Sequence, residues 1–233
     1  MNASERLIVA LDVPTADDAL RLVDRLAGRV SFFKVGSQLF TAAGPEIVRS
    51  LVARNLRVFL DLKYHDIPNT VAAAVKSAGG LGVSLLTLHG LGGRAMLEAA
   101  ASARPEGPLR LLAVTVLTSH DEASLADIGL AGPLSDSVRR LARLARDARI
   151  DGVVASPLEA RLLREACGEG FLIVTPGVRP AGAQAGDQSR LATPAGAVSA
   201  GADYLVVGRP ITDATDPAEA ATRIVREMES VTA

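Results

Sequence analysis

Along the chain, short runs of β-branched and aliphatic residues alternate with longer stretches in which Ala, Leu and Val recur at helical spacing among Arg, Asp and Glu. The short runs predict strands over Leu7–Asp12, Ser31–Gly36, Arg57–Lys63, Val83–His89, Leu109–Thr115, Gly152–Ala155, Phe171–Thr175 and Tyr204–Gly208. The longer stretches predict helices over Ala16–Ala27, Pro45–Asn55, Ile67–Ala78, Gly93–Ala103, Leu134–Ala148, Pro157–Ala166, Thr193–Ala200 and Pro217–Ser230. Eight consecutive strand–helix units without a long linker predict an α/β protein of the (β/α)8, or TIM, barrel type, one domain over residues 1–233. The competing arrangement, an open doubly wound sheet, ordinarily carries a glycine-rich fingerprint in its first strand–helix turn. Here that turn reads Asp12-Val13-Pro14-Thr15-Ala16.

Side chains on a strand point alternately to its two faces. Over 59–63 this puts Phe59, Asp61 and Lys63 on one face and Leu60 and Leu62 on the other. With the leucines packed under helices, Asp61 and Lys63 enter the barrel mouth, at the strand C-termini where barrel enzymes keep their active sites. The same alternation groups Asp12 with Ile8 and Ala10 in the first strand, and Lys34 with Phe32 and Gly36 in the second. Asp66 follows in the loop after the third strand. Charges gathered in a low-dielectric interior are expensive unless paired, so Asp12, Lys34, Asp61 and Lys63 predict an alternating charge network. Each alone is equally well a solvated cap on a strand end; four of them on three neighbouring strands point to a catalytic cluster.

The eighth strand ends Val207-Gly208-Arg209-Pro210. Loops after barrel strands seven and eight are a recurrent phosphate site, where glycine admits backbone N–H groups and arginine offers a two-pronged donor. The plain alternative for Arg209 is a surface arginine. The loosest segment, 177–186, carries three Gly, three Ala and Pro180 directly after the seventh strand, which predicts a lid on the catalytic face.

With 48% hydrophobic and 22% charged residues and a formal net charge of -1, the 233-residue chain has the balance of a folded globular protein and offers no basic surface for nucleic acid. No apolar run approaches the ~20 residues of a membrane span and no basic signal region opens the chain, so a soluble, cytoplasmic protein is expected. The single cysteine, Cys167, has no partner for an intrachain disulfide and is expected to be a small buried apolar residue. His65, His89 and His120 lie far apart without metal-ligand spacing, and neither a P-loop nor a Gly-x-Ser-x-Gly elbow occurs. No metal is therefore expected. His89 ends the fourth strand, where a hydrogen-bonded structural role is favoured over lining the pocket.

The run Asp61-Leu62-Lys63-Tyr64-His65-Asp66-Ile67-Pro68-Asn69-Thr70 resembles the signature of the orotidine 5′-monophosphate decarboxylase family. The resemblance extends over nearly the whole chain, through Ala10-Leu11-Asp12, Phe33-Lys34-Val35-Gly36, Val114–Ser119, Thr175–Arg179, Asp187-Gln188 and Val207-Gly208-Arg209. It implies conversion of orotidine 5′-monophosphate to UMP and carbon dioxide, the last step of pyrimidine nucleotide synthesis, without metal or organic cofactor. On the matching positions, Lys63 would protonate C6, Asp61 would lie near the departing carboxylate, and Lys34 and Asp12 would hold the ribose hydroxyls. Asp66 and Thr70 would reach into a partner's site in a homodimer, and Thr118 would contact the pyrimidine. Arg179, Gln188, Gly208 and Arg209 would grip phosphate as a lid over 177–188 closes. The departures, Tyr64 and Gly90-Leu91, touch none of these roles. The nearest rival is a magnesium-dependent 3-keto-gulonate 6-phosphate decarboxylase, which shares the Asp-x-Lys-x-x-Asp pattern but has an acidic metal ligand where this chain has Lys34. A non-catalytic phosphometabolite-binding barrel is the reading from a different class.

Overall fold

A strand buried on both faces has no polar side to leave in water, and β1 (Leu7–Ala10) is buried at all four positions. The computed structural model describes residues 2–130, 132–180 and 192–231. In it β1 pairs with β2 (Phe32–Gly36), and β3 (Arg57–Tyr64), β4 (Leu85–His89), β5 (Arg110–Val114), β6 (Gly152–Val154), β7 (Leu172–Thr175) and β8 (Tyr204–Val207) follow in sequence order. Every pairing is parallel, and β8 returns to β1 through Leu7↔Leu205, Ile8↔Val206 and Val9↔Val207. The sheet is a closed barrel, which excludes the open doubly wound arrangement.

Alternation divides the apolar residues into two cores. Ile8, Ala10, Phe32, Phe59, Leu85, Leu112, Val174, Tyr204 and Val206 fill the barrel. Their neighbours Leu7, Val9, Phe33, Val58 and Leu60 face outward and pack with helix residues such as Leu22, Leu51, Val75 and Leu97. The N-terminal end of the barrel is closed by an aromatic and cationic cluster. The Phe32 and Tyr204 rings meet edge to face at 5.7 Å, and the Arg57 guanidinium lies 4.0 Å from the Phe32 centroid while donating to the Tyr204 hydroxyl at 3.1 Å.

Each predicted helix has a counterpart, with boundaries shifted by a few residues: Pro68–Gly79 and Pro217–Glu229, for example, begin with proline at the first turn, where its missing N–H is no loss. Among the described residues, four further short α-helices, Ala3–Arg6, Ser37–Ala43, Glu122–Asp127 and Arg209–Thr212, lie in stretches with no predicted element. They are too short to carry a full amphipathic repeat. β1 ends at Ala10 rather than Asp12, although Leu11 N–H still donates to Lys34 C=O at 2.9 Å. Asp12 thus stands one residue beyond the last ladder bond. Among the described residues, no helix is long and apolar enough to cross a membrane.

Candidate active site

Register sets the chemistry of the mouth. Lys34 is the Cα partner of Ala10 on one side and of Phe59 on the other, and Gly36 is that of Asp61, so β1, β2 and β3 end side by side. Their charged side chains form a row of alternating sign. Asp12 Oδ1 accepts from Lys34 Nζ at 2.8 Å, Lys34 Nζ stands 3.8 Å from Asp61 Oδ2, and Asp61 Oδ1 accepts from Lys63 Nζ at 2.9 Å. Lys34 and Asp61, in the middle, are only 11% and 14% exposed at the side chain, whereas Asp12 is 56% and Lys63 36% exposed. The buried pair is compensated from both sides, and the free end of the row is an ammonium facing the cavity. Gly36 makes room for the Asp12–Lys34 end of the row: a Cβ there would lie 2.9 Å from Lys34 Nζ and 3.3 Å from Asp12 Oδ1.

The geometry of Lys63 departs from the regular pleat that simple alternation assumes. The β3–β4 ladder runs through Leu60↔Leu86 and resumes at Tyr64↔Leu88, so three residues of β3 lie opposite one of β4. Lys63 takes φ 51°, a left-handed conformation. Two other described non-glycine residues share it, Asn55 and Arg149, and both lie just past a helix end, where such residues are common. Lys63 is the one inside a strand. Asp61 and Lys63 still reach the same mouth, through a bulge.

A cavity of about 450 Å³ opens over the row. Asp12, Lys34, Asp61 and Lys63 line one side, with Val114, Val116 and Val154 forming an apolar wall and Thr118 beside them. Gly208 and Arg209, directly after β8, and Arg179, after β7, complete the lining next to the Asp12 end of the row; a Cβ on Gly208 would lie 3.9 Å from Asp12 Oδ2. Arg179 is buried, and its guanidinium is held below its ordinary value first by that burial and then by the positive charge of Arg209. Two cations that repel each other across one end of a cavity are arranged for an anion. Arg179 N–H also donates to Ala192 C=O at 3.0 Å, which ties the residues on either side of 181–191 together.

The single chain does not bring every predicted residue to this cavity. Asp66 and Thr70 are exposed and do not line it; Asp66 Oδ1 accepts from the next backbone N–H, that of Ile67, at 2.7 Å. Gln188, and most of the predicted lid over 177–188, lie outside the described residues. The histidines are less separate than their sequence spacing suggests, because β3 and β4 end together and stack the His65 and His89 rings at 5.4 Å. His89 Nδ1 accepts from Leu91 N–H at 3.3 Å, and the ring does not line the main cavity. No group of three or more metal-ligating side chains is found among the described residues. Cys167 is half-buried rather than fully buried, since it ends the helix Ala160–Cys167, and burial pushes its thiol up. The sequence did not point to Thr212 and Asp213, which line the cavity, nor to Thr87 behind it, fully buried, whose hydroxyl contacts both Asp61 and Lys63. For Thr87 the signal was present, a polar residue on the inward face of a strand otherwise apolar there until His89.

The chain has close relatives of known kind. It is 59% identical over 225 residues to an orotidine 5′-phosphate decarboxylase of Halorhodospira halophila, covering 96% of this chain and 95% of the relative. It is 56% identical, over 96% of both chains, to the enzyme of that name from Alkalilimnicola ehrlichii. The crystal structure of orotidine 5′-phosphate decarboxylase from Lactobacillus acidophilus superposes with a TM-score of 0.86 at 39% identity, over 96% of this chain and 99% of that one. Residues 5–224, from the helix before β1 to the last helix, match the model of one family, and with 59% identity to a relative the chain belongs to it: the orotidine 5′-phosphate decarboxylase / HUMPS family.

Proposed function

We propose that this chain is a carboxy-lyase that converts orotidine 5′-monophosphate to UMP and carbon dioxide in pyrimidine nucleotide synthesis, as a single catalytic barrel acting without metal or organic cofactor. The observation that carries the reading is the row Asp12, Lys34, Asp61 and Lys63, ending in an ammonium within a cavity that two arginines also line. The bond from C6 to the carboxylate breaks with its electron pair left on C6, carbon dioxide departs, and Lys63 delivers a proton to that carbon. Lys63 regains its proton from solvent. The pyrimidine lies against the Val114 and Val154 wall near Thr118, the ribose hydroxyls meet Lys34 and Asp12, and the phosphate lies between Arg179 and Arg209, with Gly208 and Gln188 completing its grip.

Magnitudes decide which effect leads. Unit charges ~4 Å apart at an effective dielectric near 20 interact by about 4 kcal/mol, so repulsion of the substrate carboxylate by Asp61 supplies a few kcal/mol. Enzymatic accelerations require roughly 8–23 kcal/mol. That repulsion is therefore too small to lead, and the reading gives the larger share to the preorganised site as a whole, Lys63 facing the developing carbanion together with phosphate binding expressed in the transition state. A magnesium-dependent lyase of the same broad pattern fits less well: Lys34 Nζ, 2.8 Å from Asp12 and 3.8 Å from Asp61, occupies the position from which those carboxylates would hold a cation.

A homodimer completes the reading. Asp66 and Thr70 are exposed, and Ile67 between them is 66% exposed, an apolar side chain that a second subunit would cover. The deciding experiment follows the ultraviolet absorbance of orotidine 5′-monophosphate with and without chelator, for the parent and for Lys63→Ala. Turnover indifferent to chelator and lowered by about 10³-fold or more in the variant is expected. Activity of Lys63→Ala within tenfold of the parent would remove Lys63 from the chemistry. Mixing inactive Lys63→Ala and Asp66→Ala chains should restore activity; verified subunit exchange without recovery would make each site self-contained.

A further inference from the structure

From the β3 bulge we infer that Thr87 is a positioning residue for the reaction, its hydroxyl fixing the distance between the Asp61 carboxylate and the Lys63 ammonium. The inference rests on the reading of Lys63 as the proton donor. Between Leu60↔Leu86 and Tyr64↔Leu88, residues 61, 62 and 63 of β3 lie opposite Thr87 alone. A regular ladder would offer Lys63 N–H a backbone carbonyl on the next strand. Here the side chain takes that part: Lys63 N–H donates to Thr87 Oγ1 at 2.9 Å, and Thr87 Oγ1 donates to Asp61 Oδ1 at 2.9 Å. That same Oδ1 accepts from Lys63 Nζ at 2.9 Å.

One hydroxyl therefore anchors both ends of the ion pair, the backbone of the lysine and the carboxylate of the aspartate. Thr87 has no solvent exposure and is absent from the cavity lining, so it acts through these two residues and not on a substrate. Threonine suits the position because its branched Cβ stiffens χ1. Buried within the sheet, the hydroxyl is aimed at fixed partners. The interaction also explains how a lysine holds φ 51° inside a strand, since the N–H that the bulge withdraws from the ladder is satisfied in place.

The test measures kcat and KM for orotidine 5′-monophosphate on Thr87→Val, Thr87→Ser, Thr87→Ala and Lys63→Ala. Valine keeps the shape and removes the hydroxyl, so kcat is expected to fall roughly 10- to 100-fold with KM within about threefold. Serine is expected to restore kcat to within about fivefold of the parent, because a hydroxyl returns. A Thr87→Val enzyme with parental kcat overturns the inference, as does a serine variant no faster than the valine one. If valine does not fold, serine and alanine decide: kcat at least tenfold higher for serine supports the hydroxyl, and equal values overturn it. Fully active Lys63→Ala overturns the Lys63 reading instead, whereas inactive Lys63→Ala beside fully active Thr87→Val overturns only the role of Thr87.

Discussion

At the N-terminal end of the barrel, Arg57 lies over the Phe32 ring at 4.0 Å and donates to the Tyr204 hydroxyl at 3.1 Å. At the C-terminal end, Lys34 lies 2.8 Å from one carboxylate and 3.8 Å from another, with a second lysine beyond. Both ends hold a cation among apolar side chains, and the sheet treats them alike. The difference lies in what answers the charge. Aromatic faces and a phenol satisfy Arg57 without leaving a group that can exchange a proton near neutral pH. Carboxylates alternating with ammonium groups keep a charged row whose last member still faces an open cavity. The first arrangement closes the fold, and the second is able to act on something entering it.

That contrast can be broken in order of expected effect. Arg209→Ala removes a cation from the anion end, and without its charge-assisted hydrogen bonds kcat/KM for orotidine 5′-monophosphate should drop roughly 10²-fold, while the unphosphorylated nucleoside is turned over within about threefold of its parental rate. Equal losses on both substrates would take phosphate away from this end of the cavity. Arg57→Ala, at the other end, should lower unfolding free energy by about 2 kcal/mol in urea titrations and leave kcat unchanged. A large fall in kcat without a fall in stability would contradict the division of labour between the ends. Gly36→Ala pushes a methyl toward Lys34 Nζ and should lower kcat roughly tenfold by displacing the charge row; parental kinetics would mean that the row tolerates movement.

The smallest expected effect concerns pH. Burial, then the charges of His65, Lys63 and His120, hold His89 below the ordinary imidazole value of 6.5. As pH falls, the unfolded chain takes up this proton before the folded one, so His89 stabilises the fold above about pH 6.5 and that contribution is lost on acidification toward its lower folded value. Urea titrations between pH 7.5 and 5.5 should show a shallower fall for His89→Gln than for the parent. An identical fall in both would assign the acid sensitivity to other groups.

Much of this was legible in the order of residues. Eight apolar runs separated by helical stretches specify a closed parallel barrel, because strands buried on both faces need helices on the outside. The positions of Asp12, Lys34 and Asp61 follow from a period of two. Lys63 shows where that period stops being informative: alternation assigns it to the correct mouth, yet the backbone reaches there through a bulge and a left-handed residue, which costs on the order of 1–2 kcal/mol for a non-glycine residue. Nothing in Asp61-Leu62-Lys63 announces that, since the group that takes up the displaced N–H lies on β4, in Thr87. The stacking of His65 on His89 was hidden for the same reason, two residues separated in the chain meeting only when neighbouring strands end level. Asp66 and Thr70 were placed by resemblance to a family, and in the single chain they are exposed to water.

The packed interior beneath the charge row has a further consequence for traffic. Phe32, Phe59, Leu85, Leu112 and Tyr204 fill the barrel beneath the row, so among the described residues the site is a well closed at its floor. On the proposed reaction, a small gas released at its floor and the nucleotide above it would leave by the same route the reactant used to enter. The larger product is then the cork, and its departure sets when the next molecule can descend.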